Sequence, residues 1–286
     1  MSELRIGACS WKYPSWQGLV YSSAQPVDYL REYAARYDTV EVDQWFWSLF
    51  GAGSVRLPDP SDARAYRQAV GDGFRFSVKA PDSITLTHLR NRDKTAAPQP
   101  NPHFLSPALL ADFLDAISPL AGVLGPVMFQ FEYLNRLKMP SQAQFQAAFQ
   151  AFLHVLPAGY IYGLEIRNPN YLNREFFAFM DQHKVAPVLL QGYYMPSIVP
   201  LYERWRDLLA GQETVVIRLH GPDRQGMEER AGGRWDQIVA PKDEELAGVA
   251  DMAKDLLAAG TRVYINVNNH YEGSAPLTIA RLRRLL

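Results

Sequence analysis

Six times along this chain two polar residues stand two positions apart at the end of a short apolar run. They are Glu41-Val42-Asp43, Ser77-Val78-Lys79, Gln130-Phe131-Glu132, Glu165-Ile166-Arg167, Arg218-Leu219-His220 and Asn266-Val267-Asn268. In a β-strand residues i and i+2 point to the same side, so each pair places two polar groups together. Carboxylates and an imidazole in one place can move protons, guanidinium and ammonium groups can hold an anion, and amides can orient a bound molecule. This assigns Glu41, Glu165 and His220 to proton transfer, Lys79, Arg167 and Arg218 to an anionic group, and Gln130, Asn266 and Asn268 to orientation. His220 is the strongest acid–base candidate, because Gly221 and a long polar stretch follow it. His88 sits where it could enter such a site, His270 could rim it, and His103, His154 and His183 read as surface residues. Trp11 follows Ser10 beyond the first run, and Trp11, Tyr13 and Trp16 with Trp45, Phe46 and Trp47 offer ring faces for a sugar or a base, extended by Tyr193 and Tyr194. The same charges also fit mutual neutralisation, with Glu165–Arg167 and Glu41–Lys79 as purely structural pairs.

For these residues to meet, the runs that carry them must lie side by side. Eight β-rich runs are spaced along the chain: 5–8, 39–42, 74–79, 127–131, 161–166, 186–190, 215–219 and 262–267. Helical patterns separate them. Pro26 heads 27–37, Ser61 and Asp62 open a stretch closed by Gly71, Ser141 opens 142–156, and 242–259 ends at Gly260. Further helices are expected at 107–117, 173–183, 200–210 and 276–286. Strand-then-helix alternation without a linker predicts an α/β fold, a single (β/α)8 TIM-like barrel of parallel strands over residues 1–286. A doubly wound sheet with a dinucleotide is the lesser reading, since Gly7 is followed by Ala8-Cys9-Ser10-Trp11 rather than a Gly-x-Gly-x-x-Gly turn. In a barrel the six pairs gather at the carboxyl-terminal mouth, where catalytic groups of such barrels collect. Long segments at 80–104 and 221–240 follow strands directly and are expected at that mouth as loops or lids. The first carries Arg90, Arg92 and Lys94, and the second Arg224, Arg230 and Arg234.

Composition narrows the partners. With 29 basic and 30 acidic residues the formal net charge is −1, so no global field attracts nucleic acid and any anion site must be local. A hydrophobic fraction of 48% suits a large buried core. Cys9 is the only cysteine, which excludes an intrachain disulfide and suits a reducing compartment. The first residues lack a basic segment followed by an apolar one, and no apolar run approaches the ~20 residues of a membrane span, so a cytoplasmic location is expected. Glu41, Asp43, Glu165 and His220 are permissive metal ligands, but no His-x-His or His-Glu-x-x-His spacing occurs, and no metal or cofactor is assigned.

Several segments together resemble the YecE-like family, also called domain of unknown function seventy-two: 6–13 (IGACSWKY), 16–18 (WQG), 37–42 (YDTVEV), 76–81 (FSVKAP), 129–131 (FQF), 164–169 (LEIRNP), 216–221 (VIRLHG) and Asn268-Asn269. The resemblance runs from the first strand to the last and implies a TIM-barrel-like fold without an established activity. The chain departs from the family pattern at Asp43-Gln44-Trp45-Phe46, at Glu132-Tyr133 and at His270-Tyr271-Glu272. The leading functional expectation is a metal-independent enzyme, a hydrolase, lyase or isomerase, acting by acid–base chemistry on a small anionic or sugar-like molecule. A metal-assisted phosphodiesterase or nucleic-acid-repair enzyme is the second, and a non-catalytic ligand-binding protein the third. Oligomeric state is left open.

Overall fold

The computed structural model describes residues 2–22, 27–51, 53–90 and 97–286. Eight parallel strands close one barrel: β1 (Glu3–Ala8), β2 (Thr39–Val42), β3 (Arg75–Lys79), β4 (Leu124–Phe131), β5 (Tyr162–Ile166), β6 (Ala186–Gly192), β7 (Thr214–Gly221) and β8 (Arg262–Val267). Each pairs with its successor and β8 closes on β1. The TIM-like (β/α)8 fold is therefore present, and every expected strand is found within three residues of its expected ends.

Outer-face residues such as Val40, Phe76, Phe129, Ile217 and Ile265 pack against a ring of helices: α1 (Tyr29–Ala34), α2 (Pro60–Ala69), α3 (Pro107–Ala116), α4 (Gln142–Leu153), α5 (Arg174–Gln182), α6 (Ile198–Arg204), α7 (Asp243–Ala258) and α8 (Ala275–Leu285). Side-chain caps start several of these helices. Asp28, Asp59, Ser106, Ser141 and Asn173 accept backbone N–H bonds from the first turns of α1 to α5. The cap of α2 is Asp59 ahead of Pro60, two residues before the expected start at Ser61. Pro26, expected to head the first helix, lies outside the described residues, and α1 begins at Tyr29.

Strand parity sorts the barrel interior into layers. Met128, Val188, Val216 and Tyr264 fill the bottom as a separate apolar cluster. Two residues further along their strands come Gln130, Arg218 and Asn266, joined by Glu41 and Glu165, and two further again come Lys79, Arg167, His220 and Asn268. An apolar plug thus carries a charged layer, and the charged layer carries the mouth.

The two long segments are more structured than loops. After β3 a short helix, Asp82–Thr85, places the buried Asp82 carboxylate where the Ser48 and Leu49 N–H groups and the Ser48 hydroxyl donate to it at 2.9–3.0 Å. This pins the segment to a two-stranded ribbon, Leu49–Phe50 with Ser54–Val55, that the sequence reading missed. After β7 the segment 221–240 contains a helix, Arg224–Ala231, capped by Asp223 and ended by Gly232 at φ 55°. Its residues are nearly all polar, so no apolar stripe marked it. Arg92 and Lys94 lie outside the described residues. No helix among the described residues is long and apolar enough to cross a membrane.

Candidate functional site

The middle layer is built around Arg218. Its guanidinium is 1% exposed and donates to both oxygens of Glu41, at 2.8 Å from Nε and 2.6 Å from Nη2. Nη1 reaches Gln130 Oε1 at 3.1 Å and also Glu165. Asn266 Nδ2 donates to the same Glu41 at 3.1 Å, and Arg167 Nε to Glu165 at 3.0 Å. Strand register explains the assembly: Gln130 stands beside Glu165, Arg218 beside Asn266 and Glu41 beside Ser77. Burial opposes ionisation of all three charged groups, and the partners answer it. Arg218 is held well above the ordinary arginine range by Glu165 and Glu41. Glu165 ends below the usual carboxylate range under the pull of Arg218 and Arg167, whereas burial leaves Glu41 above it despite Arg218.

Three of these residues stand in surroundings other than the expected ones. Arg218, expected to take an anion, lies beneath the mouth with each guanidinium nitrogen already bonded to a side chain. Glu41 and Glu165, expected to move protons, are the groups that neutralise it. Of the two pairs expected to be structural, Glu165–Arg167 is formed at 3.0 Å, whereas Lys79 pairs with Asp43 and Glu41 with Arg218.

Above them the mouth keeps the remaining candidates. Lys79 pairs with Asp43 at 2.6 Å and lies 3.7 Å from the centre of the Phe46 ring. Arg167 is 30% exposed along its side chain, and among the described residues only its Nε is hydrogen-bonded. His220 is 6% exposed, with Nε2 at 3.6 Å from Cys9 Sγ and Nδ1 at 3.3 Å from the Tyr193 hydroxyl. Burial first, then Arg218, Arg167 and Lys79, pushes the imidazole well below its ordinary value, so it is neutral near pH 7. Burial, together with Glu41, pushes the Cys9 thiol up.

A cavity of about 340 Å³ opens on this face, lined by Gln130, Arg167, Arg90, Lys138, His88 and Trp47 among others. Three of these are cations. Arg90 lies 4.5 Å over the half-exposed Trp47 ring and pairs with Asp82, and Lys138 pairs with Glu132 at 2.6 Å. Gln130 faces both the cavity and Arg218. Asn268 instead accepts from the His270 N–H at 2.9 Å, and His270 Nε2 meets Glu228 of the Arg224–Ala231 helix at 3.1 Å. Trp11 is buried edge-on against Tyr66 and lines a different cleft, of about 570 Å³, with Ser10, Lys12 and Gln44. Of the aromatic residues near the first two strands, Trp47 lines the mouth cavity and Trp11 does not. Lys138 and the contacts of Cys9 and Tyr193 with His220 escaped sequence reasoning, since no spacing links them to the paired strand ends.

Cys9 Sγ, a Glu41 oxygen and a His220 nitrogen lie within 4.8 Å of one another, close enough to share an ion. The donor set fits a cation poorly. Both Glu41 oxygens already accept from Arg218, and the three cations that lower the affinity of His220 for a proton also repel a divalent ion.

Known proteins bear out the fold and the family. The chain matches the family described as "Protein of unknown function DUF72" over residues 5–286. It is 28% identical over 214 residues to the UPF0759 protein YecE of Escherichia coli, a match over 71% of this chain that spans 64% of that relative's length. Among solved structures, a DUF72 family protein of Enterococcus faecalis superposes with a TM-score of 0.68 at 20% identity, covering 99% of this chain and 95% of that one. One from Thermotoga maritima superposes at 0.67 and 18%, covering 99% and 98%. With the motifs spread from β1 to β8 and the barrel closed, the chain belongs to the DUF72 family.

Proposed function

We propose that the barrel mouth binds a small anionic or sugar-like molecule and moves a proton on it without a metal. The observation that carries this reading is the neutral His220 in the field of Arg218, Arg167 and Lys79, of which Arg167 also lines the cavity. Burial, then Arg218, and then Arg167 and Lys79 lower its affinity for a proton. An anion arriving beside them offsets that effect, so His220 becomes a stronger base only when the site is filled. The cavity, at about 340 Å³, falls at the small end of ligand sites. Arg167, Lys138 and Arg90 supply charge, Gln130 supplies an oriented amide, and the Trp47 ring supplies a face for a sugar. Arg218, Glu41 and Glu165 act from below as a fixed charged floor that holds Gln130 and Arg167 in place.

The test is calorimetric titration of the full chain with inorganic phosphate, hexose phosphates, hexuronates and a neutral hexose, repeated in buffers of different ionisation enthalpy. Charged compounds should bind with uptake of a proton near pH 6.5, and Arg167→Ala should weaken them by at least about 10-fold, as expected for losing a charged hydrogen bond. His220→Gln should keep binding and lose the proton uptake. Equal binding of the neutral hexose overturns the anion part of the proposal, and binding of none of these compounds, or binding without proton uptake, overturns the whole of it. About one equivalent of zinc, manganese or iron in chelator-free protein overturns its metal-independent part and favours the phosphodiesterase reading.

A further inference from the structure

We propose that Tyr193 is the proton-transfer residue of this mouth, its phenol exchanging a proton with the bound molecule on one side and with His220 Nδ1 on the other. This rests on the acid–base reading above and refines it, because His220 has little access to the mouth of its own. Its Nε2 faces Cys9, its Nδ1 faces Tyr193, and it is 6% exposed, while Tyr193 is half-buried.

The backbone is built to aim this ring. The pairing of β6 with β7 slips between Gln191 and Gly192, so that Gly192 stands beside Gly221. Gly192 takes φ 133°, and a Cβ there would lie 2.4 Å from the Gly221 carbonyl oxygen. The next residue, Tyr193, is held at φ 54° with its N–H donating to that oxygen at 3.0 Å. A left-handed tyrosine is strained, and such strain gathers where a side chain must be aimed. The result is a hydroxyl 3.3 Å from His220 Nδ1 and a ring whose face lies 4.9 Å from the Arg167 guanidinium. Burial raises the phenol, and Arg167 and Arg218 oppose the rise, so the hydroxyl stays protonated until a base takes the proton.

The relay requires the neutral His220 to carry its proton on Nε2, toward Cys9 Sγ, leaving Nδ1 free to accept. When the bound molecule gives up an acidic C–H or O–H proton, Tyr193 Oη accepts it and passes its own to Nδ1. One O–H bond forms as another breaks, an N–H bond forms, and the products are an imidazolium and the anion of the molecule beside Arg167. The reverse step returns the proton, and no oxidant or reductant is needed.

An arylsulfonyl fluoride tests this on the full chain, because it forms a sulfonate ester with a phenol as fluoride leaves and a neighbouring base takes the proton. Tyr194, 96% exposed and adjacent, is the internal reference. Peptide mass spectrometry should show Tyr193 labelled at least about 10-fold faster than Tyr194, with His220→Gln removing the difference. Labelling of Tyr193 no faster than Tyr194, or a ratio unchanged in His220→Gln, overturns the proposal. In the wild-type protein, nitrogen shifts of labelled histidine should place the neutral proton of His220 on Nε2, and a proton on Nδ1 overturns the relay independently of any variant. Millimolar inorganic phosphate should slow the labelling. Histidine-dependent labelling that phosphate leaves unchanged supports the relay and overturns the anion reading instead.

Discussion

A guanidinium shut away from water survives only among carboxylates, and Arg218 meets that condition through Glu41 and Glu165 on two other strands. Taking it away leaves the buried Glu41 without a cation and Glu165 with Arg167 alone, so Arg218→Ala should destabilise the protein by about 3–5 kcal/mol in urea unfolding. Replacing the three together with apolar residues of similar volume should cost far less, since desolvating the ions nearly offsets their attraction. His220 gives the opposite sign of argument. Its folded affinity for a proton lies well below the ordinary 6.5, so below that pH the unfolded chain binds the proton more readily than the folded one. Stability therefore rises with pH up to about 6.5, and the contribution is complete above it. His220→Gln should flatten the stability profile between about pH 5 and 6.5 by up to about 1.4 kcal/mol per pH unit, read by urea midpoints across that range.

Elements set what these side chains can reach. Alternation along β4, β7 and β8 carries an apolar residue, an amide or guanidinium, and a mouth residue up one inner face, so the charged floor is a consequence of strand parity. Gly7 on β1 stands so close to β2 that a Cβ would fall 2.0 Å from the Thr39 carbonyl oxygen. Gly7→Ala must push the two strands apart, and it should cost more than the ~1 kcal/mol typical of a substitution, with loss of the near-ultraviolet signal of nearby tryptophans. The Arg224–Ala231 helix is a lesser unit that borders the mouth. It hangs on the Asp223 cap and on Glu228 against His270. Asp223→Ala should cost that helix about 1 kcal/mol, visible as faster amide exchange over 224–231 with little change in global unfolding.

At the scale of the molecule, closure joins β8 to β1 and leaves no free edge in the barrel. Opening any part exposes two unpaired strand edges as well as the plug of Met128, Val188, Val216 and Tyr264. The expectation of one domain over 1–286 thus yields a measurement: far-ultraviolet and near-ultraviolet signals should be lost in one coincident transition. Two separated transitions would contradict it. The inner charges also balance as a set, Lys79, Arg167 and Arg218 against Glu41, Asp43 and Glu165. At His220 the positive groups nevertheless dominate, Arg218 first and then Arg167 and Lys79.

By itself the sequence determined the strands, their order around the barrel and the ring of polar pairs at their ends. Those properties are local: a period of two, a cap before a helix and a polar pair at a strand end each lie within a few residues. Which groups of that ring are paired and which stay available depended on tertiary structure, since Arg218 meets partners 53, 88 and 177 residues away. Spacing along a strand says which side a residue faces and nothing about who stands opposite. Trp11 lines another cleft because its ring packs on Tyr66 of α2, and Tyr193 meets His220 where β6 and β7 slip by one residue and its backbone turns left-handed. Both outcomes were decided by backbone approach between elements, a distance the chain acquires only when the barrel closes.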